Sequence, residues 1–177
     1  MKRPIAFLAA LGLVVLAPAG ARATIVRALT LQDLVGRAER VVVGRCLDVH
    51  ETTDPRTGLP ITEVTLAVAE TLKGPAASRL VFRQLGDRGR PGPAPSFAVG
   101  EDLLLFLGRE SASGLTAPVG FEQGRIPITR PAGVAPMATV TETAVRALAD
   151  DVRCARAGRC RVELERLLGA IRGMVTP

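Results

Sequence analysis

The sequence predicts a mainly β fold, a small closed barrel or sandwich of five to six antiparallel strands, and two observations lead to this prediction. Residues 61–74 alternate between apolar and polar side chains, with Val64, Leu66 and Val68 on one face, which is typical of a half-buried strand. Further short apolar runs follow along the chain, separated by turns rich in glycine and proline. Closure into a barrel would also remove the exposed sheet edges that favour aggregation.

Residues 1–23 have the layout of a secretory signal peptide. A short positive region precedes an apolar run at residues 5–16, and an A-R-A motif that ends at Ala23 forms a cleavage site before Thr24. The run is shorter than the ~20 residues that span a bilayer, which argues against the alternative, an uncleaved membrane anchor. The sequence therefore predicts cleavage between Ala23 and Thr24, an extracytoplasmic location (secreted or periplasmic), and no transmembrane segment in the mature chain.

The first elements of the mature chain are a helix and a hairpin. Thr30 and Asp33 form a capping pattern, and the apolar residues after them recur at helical spacing. Residues 41–49 form the first strand, which would pair with residues 61–74 in a long hairpin. Gly44 interrupts this strand, and a glycine at such a position often marks a bulge or a tight bend.

The remaining predicted strands follow in short segments. Residues 79–85 alternate and form a third strand, and residues 86–96 form a loop rich in proline and glycine. Residues 102–107 are almost entirely apolar, as expected of a central strand buried on both faces. Residues 115–119 and 121–128 would close the barrel.

The chain divides into a barrel domain at residues 24–129, a linker at 130–138 and a C-terminal helical hairpin at 139–177. Thr139 and Glu142 form a second capping pattern. Two stripes of apolar residues at helical spacing support the hairpin: Val145, Leu148, Ala149 and Val152, then Leu164, Leu167, Leu168 and Ile171.

Three cysteines remain after cleavage. Cys154 and Cys160 form the natural disulfide in an oxidising compartment, and it would clasp the helical hairpin. Cys46 is left over. It is a small buried residue, a partner for another chain, or a reactive thiol.

Charge does not identify a partner. The net charge of +6 falls to +3 when the three basic residues of the signal peptide are removed. Arg83, Arg88 and Arg90 would form an anion-binding patch or, alternatively, belong to a solvated loop. A single-stranded nucleic acid would require stacking aromatic side chains, which argues against nucleic-acid binding. The aromatic residues of the mature chain lie in or beside predicted core strands: Phe82, Phe97, Phe106 and Phe121.

The sequence predicts no catalytic residues, no cofactor and no metal site. It contains one histidine, and its cysteines lack the close spacing of a zinc site. A Cys46–His50 nucleophile–base pair fails because residues four apart on a strand are separated by ~13 Å. The chain is therefore not expected to be an enzyme.

Four segments carry a resemblance to known proteins: RAERVVVGRCLDV, TEVTLAVAETLKG, FAVGEDLLLFL and GFEQGRIPI. Together they resemble exported bacterial proteins that are similar to netrin-like and metalloproteinase-inhibitor (TIMP-like) modules. The resemblance covers residues 31–128 and rests on structural motifs, namely a strand opening, a Lys-Gly stop and a Gly-Glu turn. It implies an OB-type barrel and a secreted metalloprotease as a candidate partner.

One departure from this family concerns the inhibitory mechanism. The inhibitors chelate the zinc of the protease with a cysteine at the mature N-terminus, whereas this chain is predicted to begin with Thr24. The inhibitory residue therefore does not carry over. The expected function is an exported, non-catalytic binding module that is a partner or modulator of a secreted metalloprotease. The alternatives are a structural or envelope-associated protein, with residues 138–177 as its docking element, and a thiol enzyme that uses Cys46.

Overall fold

The computed structural model describes residues 27–86, 94–146, 148, 152–155 and 158–175. These residues form eight strands in one antiparallel sheet of order β3-β2-β1-β4-β5-β6-β8-β7, with three α-helices. The elements in chain order are α1 (Leu31–Arg37), β1 (Arg40–Thr53), β2 (Pro60–Lys73), β3 (Arg79–Leu85), β4 (Asp102–Leu107), a 3-10 turn (Phe121–Gly124), β5 (Arg125–Thr129), β6 (Met137–Thr141), α2 (Glu142–Val145), β7 (Arg153–Cys154), β8 (Arg159–Glu163) and α3 (Leu164–Val175).

The predicted N-terminal helix is confirmed as α1, and its cap forms as expected. The backbone N–H of Asp33 donates to the Thr30 hydroxyl at 3.0 Å, and the N–H of Thr30 donates to the Asp33 carboxylate at 3.1 Å. Two N–H groups that a helix start leaves unpaired are thus satisfied reciprocally. Leu31 and Leu34 are buried and fix the helix to the sheet.

The predicted hairpin of β1 and β2 is also confirmed, including the irregularity at Gly44. The register between the two strands shifts between Val43 and Gly44. An ideal Cβ at position 44 would lie 2.6 Å from the carbonyl oxygen of Ala67, so only glycine fits where β2 passes. Each strand has 14 residues, which makes this hairpin the longest paired unit among the described residues.

β4 is buried on both faces, as its apolar run at residues 102–107 predicted, and so is the start of β1 at residues 41–43. On one face, Leu104 and Phe106 pack with the helices. On the other face, Leu103 and Leu105 belong to a second core that also contains Cys46. Because successive side chains of a strand point to opposite faces, Val41 and Val43 of β1 join the first cluster and Val42 joins the second.

The predicted C-terminal helical hairpin is wrong. Residues 139–163 instead add β6, β7 and β8 to the sheet, with a four-residue α2 between them. The reason is visible in β8, where Cys160 and Val162 are buried and alternate with exposed arginines, a period of two that favours a strand. The second apolar stripe is helical: α3 buries its Leu164, Leu167, Leu168 and Ile171 side chains against the sheet. Of the first stripe, Val145 ends α2 and Ala149 lies outside the described residues. The predicted capping residue Thr139 lies in β6, and Thr141 caps α2.

A closed barrel of five to six strands is not shown either. The sheet is open, with β3 at one end and β7 at the other. The predicted strand at residues 115–119 makes a single bridge, between Pro118 and Leu107. Pro118 has no backbone N–H to extend that pairing. The predicted strand at residues 121–128 is divided into the 3-10 turn and β5.

Candidate functional site

A groove runs along the outer edge of β3, between that strand and the residues that follow β4. It encloses a volume of about 430 Å³. Leu80, Phe82 and Leu107 line it from the apolar core and are nearly fully buried. Val81, whose side chain is 48% exposed, borders the same groove from β3. The sheet places the groove at a strand edge because β3 is the terminal strand on that side.

Charged side chains surround this groove. Arg109 and Glu39 form an ion pair at 3.5 Å, but both are well exposed, so the pair contributes little to stability. Arg40 and Arg79 also line the groove, and neither makes an ion pair within the described part of the chain. Two arginines that make no ion pair with any described residue thus lie beside an apolar floor.

The groove continues into a second cavity of about 300 Å³ farther along β3. The two cavities share Val81, Phe82, Glu110 and Thr116 as lining residues. At this end residues 115–118 cross the edge of β3, and the backbone N–H of Thr116 donates to the carbonyl oxygen of Arg83 at 2.8 Å. The edge of β3 is therefore covered at Arg83.

Of the predicted anion-binding arginines, only Arg83 lies within the described residues. Arg88 and Arg90 fall in the segment 87–93, outside them. Arg83 lies directly opposite Glu63 in the pairing of β2 with β3, and opposite charges at such positions attract each other. Arg83 therefore has an acidic neighbour on its own sheet, and the three-arginine patch stays a prediction.

Cys46 is buried in the second core, with 1% of its surface exposed. Burial raises the pKa of the Cys46 thiol, and the nearby Glu101 carboxylate raises this pKa further, so the reactive thiolate is disfavoured. The thiol points to the carbonyl oxygen of Asp48 at 3.7 Å. The structure does not bring His50 to Cys46, because His50 lies four residues farther along β1, opposite Glu63.

Cys154 and Cys160 lie opposite each other in β7 and β8, and the structure joins them in a disulfide. Their Cα atoms are 4.0 Å apart. Cys160 is fully buried in the helix-facing core, whereas Cys154 is exposed. The predicted pair is thus present, but it ties two strands together rather than two helices.

A polar cluster that the sequence analysis did not anticipate lies near Cys46. The Arg125 guanidinium donates to the Glu101 carboxylate and lies over the Phe97 ring, 5.5 Å from its centroid. Phe97 in turn meets Phe82 edge to face, with 5.5 Å between the ring centroids. Gln84 donates to the carbonyl oxygen of Pro95 at 2.7 Å. These contacts hold the loop that precedes β4 against β3 and β5, so we assign them a structural role.

The described residues contain no group of three or more His, Cys, Asp or Glu side chains that could hold a metal ion. Within the same residues, no helix combines the length and the apolar character that crossing a membrane requires. The predicted signal peptide and the cleavage site between Ala23 and Thr24 lie outside the described residues.

The groove along β3 is the feature that the sequence analysis missed. Its local signal was present, since Val81 lies on the exposed face of a strand whose other face is buried. That pattern gives the two faces of β3 but not the identity of its neighbours. Whether a strand lies at an edge depends on the order of strands in the sheet, which alternation alone does not specify.

Comparison of the chain with protein-family models, with curated proteins and with solved structures gives no match. The candidate site is therefore described from its own geometry alone.

Proposed function

We propose that the mature chain is an exported, non-catalytic binding module that recognises another protein through the groove along β3. One observation carries this proposal: an edge strand with an exposed Val81 borders an apolar floor, and two arginines that make no ion pair within the described part of the chain lie beside it. An apolar centre with a polar, charged rim is the usual composition of a protein-binding surface.

Export is supported by the layout of residues 1–23 and by the Cys154–Cys160 disulfide. Disulfides persist in oxidising compartments and are rare in the cytosol. The proposed location is the periplasm or the extracellular medium.

A non-catalytic role is supported by the state of Cys46, the residue on which the thiol-enzyme alternative depends. Its thiol is enclosed by apolar side chains, its pKa is raised by burial, and the histidine that would activate it lies elsewhere on the sheet. Such a thiol is a packing residue rather than a nucleophile.

The OB-type barrel remains our proposal for how β1 to β4 curve. Residues 115–118 support it because they contact strands from opposite sides of this set. Thr116 donates to β3 at Arg83, and Gly108, directly after β4, donates to the Ala117 carbonyl oxygen at 3.0 Å. Closure through this irregular segment would bury the second core between the strands.

A secreted metalloprotease stays the candidate partner from the family resemblance. The envelope-associated alternative relied on residues 138–177 as a free docking element. In the structure, β6 and β8 belong to the sheet and the apolar stripe of α3 is buried, so removal of these residues would expose the core. We therefore do not propose that alternative further.

The proposal is tested by affinity capture of exported proteins on three immobilised forms of the mature chain. These are the wild type, Val81→Arg in the groove, and Val99→Arg as a matched control. Val99 is also an exposed valine, but it lies just before the start of β4, at the opposite end of that strand from the groove.

We expect a partner, identified by mass spectrometry and then purified, that binds the wild type and Val99→Arg but not Val81→Arg. Equal binding of this partner to all three forms would refute the groove as the binding surface. Failure of all three forms to bind any exported protein would refute the binding function. Retention of other proteins without a secreted protease would refute the metalloprotease version.

A further inference from the structure

We infer that the free edge of β3 at Arg79 and Val81 binds an extended segment of the partner by strand addition, and that this segment carries an acidic residue near Arg40 and Arg79. The inference rests on the proposed binding function and specifies the form and the charge of what is bound.

The backbone groups of β3 point alternately toward β2 and toward the open side of the strand. In an antiparallel pair, alternate residues of a strand direct their N–H and C=O groups toward the neighbouring strand. Two hydrogen bonds fix this alternation. The Ser78 carbonyl oxygen accepts from Val68 of β2 at 2.9 Å, whereas the Arg83 carbonyl oxygen accepts from Thr116 on the opposite side. Residues 79, 81 and 83 therefore point their backbone groups away from β2.

The outward backbone groups of β3 differ in whether they have a hydrogen-bond partner. Residues 115–118 engage Arg83, and this contact shows that an extended segment fits along the edge. Within the described part of the chain, the outward N–H and C=O groups of Arg79 and Val81 have no hydrogen-bond partner. A single extended residue placed opposite Val81 would satisfy both of its groups, as in the known modes of peptide addition to sheet edges.

The apolar floor of the groove selects the side chains of an added strand. Residues of an added strand would point alternately to the two faces of the sheet. Those opposite Leu80 and Phe82 would enter the groove above its apolar floor, where Leu107 also lies. The residue opposite Val81 would remain on the solvent side. The groove therefore favours a segment in which apolar residues alternate with polar residues.

The groove carries positive charge at the end where β3 begins. Arg40 and Arg79 line the same groove, at the end where β3 begins, and the described residues offer neither of them an ion pair. At the other end Arg83 lies opposite Glu63 and beside a cavity that Glu110 also lines. An acidic side chain of the bound segment is therefore expected at the Arg79 end, which would also fix the direction of the segment.

The test uses two probe peptides, acetyl-Thr-Asp-Val-Thr-Val-Thr-amide and its reversed sequence, added at millimolar concentration to the mature protein. Hydrogen exchange of individual amides is followed by NMR. We expect one peptide to slow exchange of the Arg79 and Val81 amides at least tenfold. The same peptide with Lys in place of Asp should have an affinity at least about threefold lower. This is the size of effect expected when an exposed ion pair is lost. A version N-methylated at the Thr between the two Val residues, whose N–H faces Val81, should not bind.

Protein variants test the same contact from the other side. Val81→Pro removes the outward N–H, and proline is tolerated at an edge position whose N–H faces solvent. Val81→Thr keeps both the N–H and the β-branched shape and serves as its control. Arg79→Glu should weaken the peptide, whereas Arg159→Glu, on the exposed face of β8, should not.

Three results would overturn the inference. The first is unchanged exchange at Arg79 and Val81 with both peptides. The second is equal binding of the captured partner to wild type, Val81→Thr and a folded Val81→Pro; the binding function would then stand while strand addition fails. The third is protection of the same amides that depends on protein concentration without any peptide, which would assign the edge to a second copy of this chain. If the inference is correct, the captured partner should lose at least tenfold in affinity for Val81→Pro.

Discussion

Replacement of Gly44 by alanine should destabilise the protein more than a single added methyl group would in open space. The new Cβ would lie 2.6 Å from the Ala67 carbonyl oxygen and 3.5 Å from the Val68 Cα atom. Both atoms belong to the backbone of β2, so no side-chain rotation relieves the contact. Ordinary carbon–oxygen contact begins near 3.3 Å, so the strands must separate by roughly 0.7 Å at this point.

The expected loss is roughly 2–4 kcal/mol. Overpacking of this kind costs about 1–3 kcal/mol, and a weakened ladder hydrogen bond adds about 0.5–1.5 kcal/mol. In a chain of this size about 1 kcal/mol changes Tm by roughly 2–4 °C, so Gly44→Ala should lower Tm by roughly 4–16 °C.

Urea unfolding and thermal unfolding, both followed by circular dichroism, measure this effect. Gly36→Ala is the matched control, since Gly36 lies in α1 and a Cβ there would meet no atom within 4 Å. Alanine at that position should stabilise the protein by roughly 0.5–1 kcal/mol because it favours the helix. A Gly44→Ala protein as stable as the wild type would refute the close approach of β1 and β2.

Three further predictions concern local interactions. Thr30→Ala should cost about 1 kcal/mol in urea unfolding, because it removes the α1 cap, whereas Gln32→Ala should change stability little. Cys46 should not react with a thiol reagent in the native protein and should react fully in denaturant; rapid native labelling would contradict its burial. The backbone N–H of Arg56 donates to the Asp54 carboxylate at 2.8 Å, which lowers the pKa of Asp54. Asp54 therefore stabilises the fold above its unfolded pKa of about 4, and this advantage over Asp54→Ala should disappear as the pH falls through the native pKa. A stability difference independent of pH would contradict this origin.

The first half of the chain was largely predictable because its residues repeat with clear periods. Thr30 and Asp33 identify a cap, and residues 102–107 are apolar enough to indicate a strand with two buried faces. Gly44 was predicted to mark a bulge, and the register shift beside it agrees. Long-range packing agrees with local preference at each of these positions, so local patterns were sufficient.

The second half was less predictable because its elements are short. β6 and β8 have five residues each, too few to distinguish a period of two from a helical period. Val145, Leu148 and Val152 have helical spacing, yet the structure ends α2 at Val145. The disulfide partners were identified correctly, but Cys154 and Cys160 are close in sequence and would fit either a helical or a β connection.

The candidate site was missed for a different reason. Val81 and Arg79 matter because β3 is the terminal strand of the sheet that the described residues form, and Arg40 reaches the same groove from β1. No pattern within β3 indicates which strand lies next to it. A site made at the boundary of a sheet becomes visible only when the strand order is known.

The two ends of the sheet differ in a way that limits self-assembly. At one end, β7 has only two residues and is joined to β8 by the disulfide. Such a short strand is a poor template for pairing. Of the two terminal strands of the described sheet, β3 has seven residues and β7 only two, and a fibre that grows through the ends of its sheets needs two long edges on every molecule. Association of this chain through the ends of its sheet should therefore stop at two molecules, which would allow β3 to remain open in solution without seeding polymers.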